Sequence, residues 1–238
     1  MAPTVITDLR ALRRALEGGA SVEKVVWCRG ESPPSPLWRL IKRYRIPFQQ
    51  VPISVIPQGK KWAAYLSPIS LFDLSTWLGE EPQGVAVGLL GVSDVRNVGA
   101  ILRSAAAFGV RWVLLKAGGS PLLSSAALWR SSAGAIPHLH IVREARPYEA
   151  LKQLRQKGWQ LIATVPPSLG GMPYTSWGWQ QPSLLLFGEE EKGLPPEYIQ
   201  LCDLRLSIPH EKAVESLNVS VAAGILLSTA YMRNKPST

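Results

Sequence analysis

The chain has 238 residues, 46% of them hydrophobic and 18% charged, which is the composition of a globular protein and excludes a disordered tail. No apolar run is long enough to cross a bilayer, and the two cysteines form no CxxC or Cys/His cluster, so neither a membrane span nor a structural zinc site is expected. The formal charge of +9 favours polyanionic partners and says nothing about the fold.

The opening stretch MAPTVITDLRALRRALEGG lacks the apolar block of a signal peptide, so a cytoplasmic protein is expected. It reads as a helix start: Thr7 can cap a helix running through Leu16, and Gly18-Gly19 stops it. Lys24–Cys28 (KVVWC) reads as a buried strand. Pro36 opens a second helix with Leu37, Leu40, Ile41 and Tyr44 on one face. Ile46–Ile56 reads as extended, and Pro47 and Pro52 suit an edge or irregular strand. Ser67 to Gln83, broken by Pro68, Gly79 and Pro82, is the candidate interdomain segment.

From Gly84 the rhythm is regular. Strands are predicted at 85–90, 110–115, 160–165, 184–187 and 204–208. Helices are predicted through Phe108, around 148–157, after Pro195-Pro196, and from about 219 to 232. Nearly continuous apolar strands alternating with helices predict an α/β domain with a mostly parallel sheet. In such sheets ligands bind beyond the carboxyl ends of the strands. Three polar, glycine-bearing loops fall there.

The first is Ser93 to Gly99, with Asn97 as a candidate N-cap of the helix AILRSAAAFGV. Ile101, Ala105 and Phe108 line one face of this helix, and Arg103 and Gly99 point elsewhere. Gly99 leaves room for a bulky group beside the guanidinium, although a solvated arginine on an amphipathic helix fits the spacing as well. The second loop, Gly188 to Gly193, brackets three carboxylates and one lysine with glycines. Those carboxylates would repel phosphate, so a neutral or cationic ligand suits it better, and a plain surface turn is the other reading. The third, HEKAVESLNVS, ends where Ser216 or Asn218 can cap the last helix, VSVAAGILLSTAYM. That helix is apolar on nearly every side and suits burial in the core or against a partner subunit.

In order and wording, DVRNVGAILRSAAAFGV, LLLFGEEEKGL and IPHEKAVESLNVSVA resemble the three motifs of the SpoU (TrmH-like) branch of the SPOUT RNA methyltransferases. Ser132-Ala133-Gly134-Ala135 resembles the family's SAGA-type segment. The resemblance covers about 84–234. It implies a C-terminal domain, 84–238, with a deep trefoil knot, and transfer of methyl from S-adenosylmethionine to a ribose 2′-hydroxyl of RNA. The implied catalytic group is Arg103, Asn97, Glu190, Ser216 and Asn218. The implied cofactor contacts are Thr164, Leu186, Phe187, Gly188, Gly193, Ile208, Ser216, Leu217 and Asn218. A homodimer with its active site at the subunit interface is implied as well. Glu189 stands where the family usually has a small residue, and His210 and Lys212 replace a common methionine and glycine.

The first 78 residues are more loosely similar to the L30e-like α/β domain that often binds RNA ahead of SpoU cores, and near Pro82 the chain lacks a histidine that the family often has before the QG pair. Arg39, Lys42, Arg43 and Arg45 cluster beside Trp38 and Tyr44, which suits phosphate contact and base stacking, with Arg96 a further RNA contact. A solvated helix face is the other reading. By analogy with such domains, 23S ribosomal RNA is favoured over transfer RNA. Methylation of a base nitrogen and a non-catalytic RNA-binding factor on the same scaffold are the competing functions. A nucleotide-binding dehydrogenase is excluded by the lack of GxGxxG after the first strand.

Overall fold

The computed structural model describes residues 4–118, 123, 125–179, 182–211 and 213–234; Lys212 lies outside them. Two sheets organise the chain. The smaller is built from β1 (Thr4–Ile6), β2 (Val22–Cys28), β3 (Phe48–Val51) and β4 (Trp62–Leu66), in the order β1-β4-β2-β3. Its helices are α1 (Leu9–Glu17) and α2 (Ser35–Tyr44).

The residues before the first helix are a strand, β1, paired antiparallel with β4. Thr7 is not the cap of α1: the Asp8 carboxylate accepts from the Ala11 N–H at 2.8 Å, and Gly18 ends the helix. A carboxylate one residue later satisfies the free N–H groups better than a threonine hydroxyl at the turn's entrance. Leu37 and Ile41 of α2 are buried, with Leu40 and Tyr44 packed against the same cluster. β3 is an edge strand as its prolines suggested, but it stops at Val51. Pro52 there starts a single 3-10 turn, Ile53–Val55, in place of further strand.

The larger sheet contains β5 (Val85–Leu89), β6 (Trp112–Lys116), β7 (His140–Glu144), β8 (Gln160–Thr164), β9 (Met172–Pro173), β10 (Ser183–Phe187) and β11 (Leu204–Ser207). Its order is β7-β6-β5-β10-β8-β11-β9, and every pairing is parallel. Period-two alternation splits its side chains between two cores. Val87, Leu89, Leu185 and Phe187 face one side, and Ala86, Leu90, Leu184 and Leu186 the other. Burial on both faces is why these strands read as continuous apolar runs.

The second face is covered by α3 (Leu74–Leu78), α6 (Pro147–Lys157) and α7 (Pro196–Leu201). The first is covered by α4 (Val95–Ala107), α5 (Ala126–Ser132), α8 (Val219–Asn234) and, beyond them, the helices of the smaller unit.

The 67–83 segment is tied to the larger sheet. The Phe72 N–H donates to the Ile141 carbonyl at 2.8 Å, and Trp77 stacks on Trp112 with centroids 5.1 Å apart. Its mixed spacing reflects single anchoring residues, not one repeating face. The cysteines, Cys28 and Cys202, are free and half-buried.

Candidate active site

Asp94, not Asn97, caps α4: its carboxylate accepts from the Arg96 N–H at 2.7 Å. The Arg96 guanidinium closes on the same carboxylate at 2.8 Å, and this side-chain hydrogen bond is the main reason the Asp94 carboxyl sits below its ordinary value. Asn97 falls in the first turn of α4 and is released from capping. Its amide Nδ2 donates to Glu190 Oε1 at 3.1 Å, and its Oδ1 accepts from Asn218 Nδ2 at 3.1 Å. Asn218 Oδ1 caps α8, accepting from the Ser220 N–H at 2.9 Å and the Ser220 hydroxyl at 2.6 Å.

A continuous relay therefore runs from the carboxylate of Glu190 through two amides into the start of α8. Each amide uses its donor end toward an oxygen and its oxygen toward a donor, so the orientations are mutually fixed. Its members are 93 and 121 residues apart in sequence.

Local geometry explains how these loops meet. The 188–193 loop is closed by reciprocal bonds, Glu189 N–H to Gly193 O at 3.0 Å and Gly193 N–H to Glu189 O at 2.9 Å. A Cβ at Gly188 would collide with the backbone of Gly193 and Leu194, so the loop closes only around glycine. Gly91, at φ +139°, lets the loop after β5 pass Glu189, whose Cγ would lie 2.7 Å from an added Cβ.

The expected cofactor contacts line the same edge of the sheet. Thr164 ends β8 and donates its hydroxyl to the Leu186 carbonyl at 2.7 Å. Leu186, Phe187 and Gly188 are buried at the end of β10, whereas Ile208 and Leu217 are half-buried and Ser216 is exposed. The Ile208 carbonyl holds His210 through Nδ1 at 2.8 Å.

Arg103 is not brought into this group. Six residues along a helix from Asn97 place it about 120° around the axis. It lines instead a groove of about 480 Å³ with Arg14, Glu17, Gly18 and Ser132–Ala135. Gly99 does not make room for a ligand: a Cβ there would strike the side chain of Ser131, so the glycine sets the close approach of α4 to α5. The Ser131 hydroxyl bridges those helices, donating to Val95 O at 3.2 Å and Ala127 O at 2.9 Å.

The basic cluster stands apart, on the smaller unit. Arg39, Lys42, Arg43 and Arg45 are all exposed on α2 or at its end. Beside them is an aromatic cluster the sequence reading missed. Phe48, 51% exposed, stacks on buried Trp27 at 5.2 Å, and Trp38 meets Phe48 edge-on at 5.0 Å. The signal lay in Trp27, Trp38 and Phe48 separately, and only the parallel pairing of β2 with β3 joins them. Trp179 is buried in the core.

Fold and site together define an α/β protein with a polar site assembled across the carboxyl edge of a parallel sheet. The model of the SpoU rRNA methylase family matches residues 84–228, and the chain belongs to that family. It is 36% identical over 156 residues to an uncharacterized tRNA/rRNA methyltransferase of Mycobacterium ulcerans, covering 66% of this chain and 49% of that one. The match thus spans about half the length of the mycobacterial relative. It is 29% identical over 228 residues to one of Archaeoglobus fulgidus, covering 94% and 96%. In fold, it resembles the SpoU methyltransferase AviRb of Streptomyces viridochromogenes, with a TM-score of 0.78, 23% identity and coverage of 98% and 90%. AviRb has also been solved in complex with AdoMet. A solved RNA 2′-O ribose methyltransferase matches with a TM-score of 0.72 and 25% identity, covering 96% and 88%.

Proposed function

We propose that this chain transfers the methyl group of S-adenosylmethionine to a ribose 2′-hydroxyl of structured RNA, with 23S ribosomal RNA ahead of transfer RNA as substrate. The observation that carries this is the Glu190–Asn97–Asn218 relay, which joins the three motif loops at one edge of the sheet. The likeness to a 2′-O ribose methyltransferase along nearly the whole chain supports the acceptor.

Thr164, Leu186, Phe187, Gly188, Gly193, Ile208, Ser216, Leu217 and Asn218 would hold the cofactor. The fit is chemical: a glycine-closed loop with three adjacent carboxylates, Glu189 to Glu191, favours a cation and disfavours free phosphate. Once bound, S-adenosylmethionine supplies a methyl already activated by its sulfonium charge. The protein's own task is to align the hydroxyl, assist loss of its proton and exclude water. Glu190, Asn97, Ser216 and Asn218 orient the ribose. The Arg103 guanidinium holds an RNA phosphate or the developing alkoxide.

Because Arg103 lies away from the relay within one chain, the reading includes a homodimer in which one copy's Arg103 completes the other's site. The outward face of α8 supports it: Val221 and Met232 are 51% and 68% exposed, with half-buried Ile225 on the same face. Insertion of β10 between β5 and the earlier strand β8 supports the knot. The separate four-stranded sheet supports an RNA-binding unit over 1–78 ahead of a methyltransferase unit over 84–238.

The test is incubation of the purified protein with tritiated S-adenosylmethionine and unmodified ribosomal or transfer RNA, then digestion to nucleosides. Label is expected in a 2′-O-methylnucleoside from ribosomal RNA. Label on a base, or none anywhere, overturns the proposed reaction; label from transfer RNA alone overturns the substrate.

A further inference from the structure

The groove that holds Arg103 is shared by the two units. One wall is the end of α1, with Arg14, Glu17 and Gly18; the other is α4 with Arg103, Ala106 and Ala107; the floor is Ser132–Ala135. Resting on the reading above, we propose that this groove seats the sugar-phosphate backbone of the RNA strand carrying the target nucleotide. Arg14 of the smaller unit acts there as a positioning residue that binds a phosphate beside Arg103.

Four observations carry this. First, Arg14 and Arg103 are both exposed, and neither has an ion-pair partner among the described residues. The one carboxylate in the groove, Glu17, is matched by Arg13 at 2.8 Å, outside the lining. The groove thus offers two unspent guanidiniums, groups whose planar fork suits phosphate.

Second, between the arginines the lining is small: Gly18, Ala106, Ala107, Ala133, Gly134 and Ala135 present no side chain larger than a methyl. A strand's backbone can approach closely there, as it could not over long side chains.

Third, the two arginines are held in fixed relation. A Cβ on Gly18 would collide with the Gly134 carbonyl, and one on Gly134 with the Arg14 carbonyl, so the units meet backbone to backbone. Gly134 adopts φ +87° and Ala133 φ +52°, which turns the chain beneath α1. Fourth, the carboxyl end of α1, whose Gly18 lines the groove, carries the partial negative charge of the helix dipole, which would repel a phosphate. Arg14, in the last turn, supplies the offsetting cation at that place.

The experiment compares wild type, Arg14→Ala, Arg14→Lys and Lys152→Ala. Lys152 is an exposed cation on α6, on the opposite face of the sheet. Binding of an unmodified large-subunit ribosomal RNA transcript is measured across about 50 to 200 mM salt. The KM for that RNA, kcat, cofactor affinity and melting temperature are measured alongside. Arg14→Ala is expected to weaken RNA binding about tenfold and raise KM in parallel. The slope of log affinity against log salt should fall by about one. The kcat at saturating RNA, cofactor affinity and melting temperature should be unchanged. Arg14→Lys should recover most of the loss, and Lys152→Ala should match wild type.

An Arg14→Ala protein with wild-type affinity and slope overturns the proposal. So does an equal loss in Lys152→Ala, which would mean that overall charge alone matters, and so does a wild type that binds no RNA. Absence of ribose methylation with the Arg14 effect intact would instead sink the assigned reaction and leave the groove standing.

Discussion

The two sheets solve different problems. The seven-stranded sheet has its central strands buried on both faces, and at its carboxyl edge the loop and helix-start residues Asn97, Glu190 and Asn218 bond to one another. The four-stranded sheet sends one face into the shared core but leaves its edge strand β3 open, with Phe48, Gln49 and Gln50 exposed beside the cations of α2. A doubly buried sheet concentrates chemistry at one place, and an open-edged one spreads contact over a surface. On the proposed reading, the larger unit carries the reaction and the smaller holds the RNA.

Arg103→Ala gives the sharpest separation of the two roles. It should lower kcat about a hundredfold or more with cofactor affinity unchanged. A variant that keeps a substantial fraction of wild-type turnover would remove Arg103 from the reaction. Next is Gly188→Ala, where the added Cβ meets the backbone of Gly193 and Leu194. Calorimetry should show cofactor binding weakened about tenfold, and melting should show a loss of roughly 1–3 kcal/mol. Unchanged cofactor binding would break the link between this loop's closure and the ligand.

Replacing Arg39, Lys42, Arg43 and Arg45 together by alanine tests the other side of the comparison. RNA affinity and its salt dependence should fall, with kcat at saturating RNA retained. If kcat falls and affinity does not, the division of labour is wrong.

The smallest effect concerns His140, half-buried against Phe72 at 4.1 Å. Burial first, and Arg111 second, lower its pKa, so the folded protein keeps the ring neutral where the unfolded chain takes up a proton. Its contribution to stability is present above the unfolded value and lost as pH falls through it toward the folded value. Melting temperature should decline slightly between about pH 7 and 5.5, and His140→Gln should remove that part of the slope. An identical slope in the variant would assign the pH dependence elsewhere.

The sequence by itself determined a great deal about the larger unit, for physical reasons visible in its residues. Strands buried on both faces must be apolar throughout, so β5, β8, β10 and β11 were legible within a residue or two. The three motif loops carried polar residues where a parallel sheet opens, which marked the candidate site. The smaller unit was less legible, because β1 has only three residues and β1 and β4 take their strand identity from pairing with each other and, for β4, with β2.

Only the tertiary structure decided what individual side chains do. Asn97 looked like a cap until Asp94 took that place and freed its amide for Glu190 and Asn218. Gly99 looked like ligand space until Ser131 filled it, and Arg103 proved to share a groove with Arg14 from the far end of the chain. Periodicity reports which face a residue occupies. What occupies the opposite side is set by contacts between residues distant in sequence, from Gly99 against Ser131 to Asn97 bonded to Asn218 121 positions away, and no local pattern encodes them.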